Sequence, residues 1–187
     1  MKKNRPLSVY LCFLLRHHPE EVQLHMDEHG WVSVEELIAG VNTQGRYTLT
    51  REKLRHIVST DDKGRYRLDE ENDRIKCCQG HSIPWVQPEL RYADPPEILY
   101  HGTTAEAYEK IVQSGAVKKM GRHAVHLTAN WELTWRAAKR WHKEAVVLEI
   151  ETKPMVADGF LFGVTENDVW CVEEVPIKYI RAVLKEQ

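Results

Sequence analysis

Arginine recurs at three separated places, twice beside a histidine: Arg16-His17, Arg65 and Arg122-His123. Each lies where a regular element should end or a loop should open, the parts of a chain where sites tend to be built. A guanidinium stays charged and presents a planar fork that matches phosphate oxygens two at a time, so several converging on one point would suit a phosphate dianion. A histidine among them adds a group able to move a proton near neutral pH. A fourth stretch, Ile98-Leu99-Tyr100-His101-Gly102-Thr103-Thr104, is a short apolar run that ends in a His-Gly-Thr corner. The run predicts a buried strand, and Thr103 with Glu106 three residues on predicts a capping box that opens a helix. Glycine at such a turn lets a phosphate or carboxamide approach backbone N–H groups and a helix N-terminus. Taken alone, the stretch is most simply a structural corner.

The elements that would position these residues follow from periodicity. Leu7, Tyr10, Leu11 and Leu14 recur at helical spacing; Asn4 is placed to cap that helix, Pro6 sits in its first turn and Pro19 ends it. Arg16, His17 and His18 then fall in its last turn, where cations complement the helix dipole. Ser33 with Glu36 predicts a second capped helix, and Thr50, with Leu49 and Leu54 as a hydrophobic staple, a third whose outer face shows Arg51, Lys53, Arg55 and His56. Residues 65–68 and 74–77 read as a β-hairpin across a polar turn. Three small helices and a hairpin predict a winged-helix domain, a module that often lays its third helix on nucleic acid. Its aspartates and glutamates, among them Asp61, Asp62, Asp69 and Glu70, offset much of that positive face.

Four prolines between Pro84 and Pro96 exclude a regular helix or a central strand and mark a domain boundary, with lobes 1–90 and 91–187. Beyond it, strand-like runs at 98–101, 125–128, 145–150, 160–164, 169–172 and 179–184 alternate with helices near 105–113 and 131–142. Strands outnumber helices and several connections are too short for a crossover helix, so the class is α+β. Ser114-Gly115 predicts a left-handed helix stop. Trp131, Trp135 and Trp141 are read as packing residues.

Composition narrows the chemistry. At 187 residues with 42% hydrophobic and 29% charged content, the chain is an ordinary globular protein of one or two domains. No apolar run is long enough to span a bilayer and no signal-peptide core follows the N-terminus, so a cytoplasmic protein without a membrane partner is expected. The four cysteines form no C-x-x-C pair, which predicts reduced thiols, and the ten histidines lack metal-ligand spacing, which predicts no metal. A net charge of −2 gives no general attraction to nucleic acid. A P-loop, a G-x-G-x-x-G after a strand and a G-x-S-x-G elbow are all absent from the sequence.

Five motifs occur in order along the chain: Leu14-Leu15-Arg16-His17-His18-Pro19-Glu20, Gln79-Gly80-His81-Ser82, Leu99-Tyr100-His101-Gly102-Thr103, Gly121-Arg122-His123-Ala124-Val125-His126-Leu127 and Ala157-Asp158-Gly159. In this register the chain resembles the NAD-dependent RNA 2′-phosphotransferase family along almost its whole length. The resemblance implies an N-terminal winged-helix-like RNA lobe and a C-terminal ADP-ribosyltransferase-like, mixed β NAD lobe. It implies that an internal RNA 2′-phosphate, of the kind left at a tRNA splice junction, attacks C1″ of the nicotinamide ribose and expels nicotinamide. The ribose 2″-hydroxyl then attacks phosphorus, releasing 2′-OH RNA and ADP-ribose 1″,2″-cyclic phosphate. The family's Arg-His-Arg-Arg tetrad falls on Arg16, His17, Arg65 and Arg122. His101, Gly102, Thr103 and His126 match its dinucleotide contacts, and Lys76, Gln79, His81 and Ser82 are the positions implied for RNA.

The resemblance also implies NAD as co-substrate, RNA as partner and a monomer. Two departures stand out. Where the family usually carries Ile-Arg-Ala before Gln-Gly-His-Ser, this chain has Ile75-Lys76-Cys77-Cys78. Where it usually carries Asn-Gly-Val-Trp, this chain has Asn167-Asp168-Val169-Trp170, which puts a glycine-dependent turn in question. Two other readings stay open at this level: an ADP-ribosyltransferase that stops at a phosphorylated nucleic-acid end, and a winged-helix RNA binder without catalysis.

Overall fold

The computed structural model describes residues 5–185, so Asn4 and the cap expected of it lie outside the described residues. The chain falls into two compact units, Met1–Glu89 and Leu90–Gln187. Both mix helices with antiparallel sheet, as the α+β reading requires.

The first unit runs α1 (Leu7–His17), a 3-10 turn at Pro19–Val22, β1 (Val32–Ser33), α2 (Val34–Thr43), α3 (Arg51–Ser59), β2 (Tyr66–Asp69) and β3 (Arg74–Cys77). The strands form one sheet in the order β1-β3-β2. The apolar stripe of α1 buries Leu11, Leu14 and Leu15 completely, against Leu37 and Val41 of α2, Leu54 of α3 and Ile75 of β3. Ser33 accepts from the Glu36 N–H and Thr50 from the Lys53 N–H, each at 3.3 Å. The Glu36 carboxylate instead takes the backbone N–H and ring of His25, so only half of that capping box forms. β1 escapes the sequence because two residues carry no period; Val32 is recognisable only once Ile75 lies beside it.

The second unit contains β4 (Arg91–Tyr92), β5 (Ile98–Thr104), α4 (Ala105–Ser114), β6 (Ala116–Lys118), β7 (Val125–Leu127), α5 (Trp131–Lys139), β8 (Ala145–Glu151), α6 (Thr152–Ala157), β9 (Gly163–Val164), β10 (Trp170–Val172), β11 (Glu174–Pro176) and β12 (Ile180–Lys185). Its sheets are ordered β4-β9-β10-β7, β11-β6 and β12-β8-β5, and the Tyr100–Thr128 bridge links β5 to the residue after β7. The core holds Leu99, Leu127, Val146, Leu148, Ile150, Met155 and Val175. The left-handed stop at Gly115 forms as expected. Trp131 packs edge-on against Tyr100 and Trp135 while staying 40% exposed; Trp141 differs from expectation at 58% exposed, because α5 ends at Lys139 and leaves it beyond the helix, under the Arg140 guanidinium.

The His-Gly-Thr corner is also different. β5 does not stop at His101; it pairs with β8 for seven residues, from Ile98 with Glu151 to Thr104 with Ala145. The helix cap is therefore Thr104, which accepts from the Ala107 N–H at 3.2 Å, and Glu106 pairs with Lys110 and Lys143. A full-length partner strand outweighs the local preference of glycine for a turn. Gly102 has a packing reason instead: a Cβ there would lie 2.6 Å from the Thr134 carbonyl and 3.2 Å from the Ala138 N–H, where α5 crosses the strand. The turn at Asn167-Asp168 survives the loss of glycine. Asp168 adopts φ 57° itself, while the Thr165 hydroxyl accepts from the Val169 N–H at 3.1 Å. Aspartate is among the few L residues that visit this region at modest cost.

Gly102→Ala forces backbone apart between β5 and α5. Stability should fall by about 1–3 kcal/mol, the range for overpacking a filled core, read as a lower urea midpoint at unchanged slope.

Candidate functional site

Arg16 leaves the last turn of α1 on the face that carries Cys12, one turn earlier, so it heads into the interior while His17 emerges beside it. Its Nε and Nη2 are buried and find no acceptor among the described residues. Burial opposes its charge, and the neighbouring thiols of Cys77 and Cys12 more than offset this, so its pKa is raised. Buried donors without acceptors carry a desolvation penalty of about 1–3 kcal/mol each, more when charged, which an anionic ligand would remove. His17 is held by a 2.8 Å bond between its Nδ1 and the Ser82 hydroxyl, and the Ser82 N–H donates to the Arg16 carbonyl at 3.0 Å. The Gln79–Ser82 turn thus folds back onto the end of α1.

Arg65 precedes β2 and is gripped by Asp61, four residues earlier. Nε donates at 2.8 Å, Nη2 donates to the same carboxylate oxygen, and the Arg65 backbone N–H takes the other oxygen. The Asp61 side chain is 2% exposed and the arginine 26%, so this pair is not a surface ion pair that water would screen. The bond raises the Arg65 pKa. Sequence reasoning counted Asp61 only as charge offsetting the basic face. The signal it missed is the four-residue interval from a carboxylate to an arginine that a turn can close.

The other residues matched to RNA contacts divide. Ser82 is exposed and Gln79 half-buried, whereas His81 is 1% exposed, with its Nε2 2.9 Å from where a Gly30 side chain would begin. Lys76 is buried: its ammonium pairs with Glu89 and lies 4.7 Å from the Trp31 ring centroid. The outer face of α3 is largely neutralised within the unit. Arg51 bonds Asp73, Arg55 bonds Glu70, and the Lys53 ammonium donates to the Thr48 carbonyl.

In the second unit, Arg122 lies in the loop between β6 and β7, where its backbone N–H donates to the Lys119 carbonyl at 3.0 Å. His101 is half-buried on β5. Its Nδ1 meets the His126 carbonyl at 3.1 Å, so that nitrogen carries the proton and Nε2 is the acceptor. Burial, with a smaller push from Arg140, lowers its pKa and keeps the ring neutral. Thr103 is 8% exposed and faces the core, leaving its backbone rather than its hydroxyl for any ligand. His126 and Cys171 are cross-strand partners and share one face of the four-stranded sheet.

A cavity of about 540 Å³ opens beside Cys171, lined among others by Tyr92, Lys119, His123, Asp158 and Phe160, and does not reach His101, Gly102 or Thr103. Asp158 bonds Lys178 at 2.8 Å and also the Tyr179 hydroxyl, which lower its pKa, and Gly159 follows in the left-handed region at φ 91°. The Ala157-Asp158-Gly159 motif therefore closes α6 and ties it to the segment before β12.

The family model and the relatives similar in sequence agree with one another. The model of the family described as "RNA 2'-phosphotransferase, Tpt1 / KptA family" matches residues 2–174. A "Probable RNA 2'-phosphotransferase" of Fusobacterium nucleatum is 38% identical over 181 residues, covering 97% of this chain and 99% of its own length. Proteins of the same description from Burkholderia pseudomallei and Streptomyces coelicolor are each 40% identical, covering 93% and 97% of this chain and 92% and 97% of their own. Among solved structures, a Caulobacter crescentus protein aligns with TM-score 0.37 at 12% identity, over 47% of this chain and 84% of its own, too slight a likeness to carry argument. With a family model spanning nearly every described element and relatives alike from end to end, the chain belongs to the RNA 2′-phosphotransferase family.

Proposed function

We propose that this protein removes an internal 2′-phosphate from RNA by transferring it to NAD⁺. The observation that carries this reading is the Arg16 guanidinium, buried with two N–H groups that lack acceptors, next to a histidine held by Ser82. A phosphate dianion would satisfy those donors and match their charge. Arg65, fixed through Nε and Nη2 by Asp61, keeps Nη1 outside that chelate as a further phosphate donor. By resemblance, Arg122 of the second unit is assigned the third cation of the tetrad. Fixed cations favour a transition state in which charge shifts on the phosphoryl group, because they need no reorganisation as it moves. With Nδ1 occupied by Ser82, His17 acts through Nε2, contacting the phosphate or moving a proton there.

For the dinucleotide, a neutral His101 with Nε2 as acceptor fits a ribose hydroxyl or a carboxamide N–H. Bound NAD⁺ supplies an electrophilic C1″ with nicotinamide as its leaving group. Chain order supports assigning the two roles to the two units: α1, then β1, two helices and a β-hairpin is a winged-helix-like succession for the RNA lobe, and the β5 and β7 histidines suit an ADP-ribosyltransferase-like NAD lobe. Lys76, committed to Glu89, is not assigned an RNA contact. A cytoplasmic, tRNA-processing setting goes with this reading.

Incubation with NAD⁺ and an RNA bearing one internal 2′-phosphate should yield 2′-OH RNA, nicotinamide and ADP-ribose 1″,2″-cyclic phosphate. Absence of all three from folded protein overturns the proposal, and label retained on a nucleic-acid end would indicate ADP-ribosyl transfer instead. Arg122→Ala should lower turnover by about 10²–10³, the usual cost of one transition-state donor, while Lys143→Ala should match the parent. Asp61→Asn keeps the shape of the brace but removes its charge, and kcat/KM should fall about tenfold with the fold retained, a loss of about 1.4 kcal/mol. His101 has a lowered folded pKa, so the unfolded chain binds its proton first as pH falls. Its stabilising contribution is full above about pH 6.5, the ordinary histidine value, and is lost below it. His101→Asn should flatten the dependence of the urea midpoint on pH across that interval.

A further inference from the structure

Three of the four cysteines lie in the first unit, and two of them, Cys12 and Cys77, are buried in its core cluster. Cys12 projects from α1 one turn before Arg16, its Sγ 3.0 Å from the Tyr66 hydroxyl. Tyr66 and Cys77 are direct cross-strand partners on β2 and β3, so their side chains stand on the same face of the sheet a few ångströms apart. Cys12, Tyr66 and Cys77 therefore belong to one buried cluster, within which the two thiols influence each other's ionisation. The Arg16 guanidinium acts electrostatically on both thiols. Both cysteines are reduced, and Cys77 is one of the positions where this chain departs from the pattern Ile-Arg-Ala.

We propose that Cys12 and Cys77 are a redox-active dithiol that a peroxide converts to a disulfide. The two thiols are unequal in the way the chemistry requires. The neighbouring Cys77 thiol and the charges of Arg16 and Arg65, set against burial, lower the Cys12 pKa and so favour its thiolate. Burial raises that of Cys77, which stays protonated. Cys12 keeps 8% of its surface open, and hydrogen peroxide is little larger than water.

In the first step the Cys12 thiolate attacks a peroxide oxygen: an S–O bond forms, the O–O bond breaks, and hydroxide leaves to take a proton from solvent. In the second, the Cys77 sulfur attacks the Cys12 sulfenic acid; the S–S bond forms, and the hydroxyl leaves with the Cys77 proton as water. Two thiols lose two electrons and one peroxide becomes two waters. The product carries no charge, so Arg16 and Arg65 lose a thiolate that each influences. Cys171, by contrast, has its pKa pushed up to about 12 by burial in the other unit, with no thiol partner, and is the internal control.

The test uses the full chain, reduced, desalted and exposed to hydrogen peroxide at neutral pH, then denatured, alkylated and mapped by mass spectrometry. Two of the four alkylatable thiols should disappear and return on treatment with dithiothreitol. A cross-linked peptide pair should join Cys12 to the peptide holding Cys77, and it should persist in Cys78→Ser, which separates the adjacent cysteines. In Cys77→Ser, dimedone should trap a sulfenic acid on Cys12. The proposal is overturned if Cys12 and Cys77 alkylate fully after peroxide, if the cross-link vanishes with Cys78→Ser, or if Cys171 oxidises first. None of these readouts depends on phosphate transfer, so failure here and failure of the proposed activity are separate results.

Discussion

Taking a guanidinium out of water costs several kcal/mol unless charge and hydrogen bonds compensate, and the first unit is arranged around how Arg16 is compensated. The helix that carries it is anchored by three fully buried leucines, so the side chain cannot swing out without unpacking α1. The thiols of Cys77 and Cys12, weak hydrogen-bonding partners, favour its charge without filling its Nε and Nη2 donors. Alongside it, the Ser82 turn closes over the helix end through backbone and side chain together. The result is a cation with its charge balanced and its hydrogen-bonding capacity partly unspent. That combination suits transient binding of a phosphate better than a saturated ion pair, which would first have to be broken.

The same logic separates Arg65 from the basic residues of α3. Both kinds of arginine have carboxylate partners, but Arg51 and Arg55 meet theirs at the surface, where water competes and the pair positions little. Asp61 is buried and chelates Arg65 through the side chain and the backbone at once, so the guanidinium plane is set by the fold. The basic face that looked suited to nucleic acid is occupied by the hairpin. Arg65, which the resemblance matches to the tetrad, is the one braced from within.

Legibility followed the physics of each element. The helices of the first unit and its hairpin were readable because their signals are local: an apolar stripe, a capping hydroxyl, two alternating runs. The tetrad was assigned by resemblance from motif order, which needs no geometry. What failed was whatever depends on a partner distant in the chain. The corner at Gly102 looks like a turn until β8 lies beside it for seven residues, and the glycine is there for α5. The grip of Asp61 and the burial of Lys76 against Glu89 are contacts between side chains, to which periodicity is blind. Asp168 is the reverse case: local preference predicted trouble, and the residue simply adopts the left-handed conformation within a well-bonded turn.

β8 is the middle strand of its sheet and nearly every residue in it is buried, yet its partners are β5, about fifty residues earlier, and β12 at the far end of the chain. During synthesis the first unit, with its helices close in sequence, has everything it needs long before the second. The hydrophobic row from Val146 to Ile150 must wait with one edge bare until the last strand emerges. A ribosome stalling, or a protease cutting, anywhere between α6 and β12 would leave that edge open as a template for another chain.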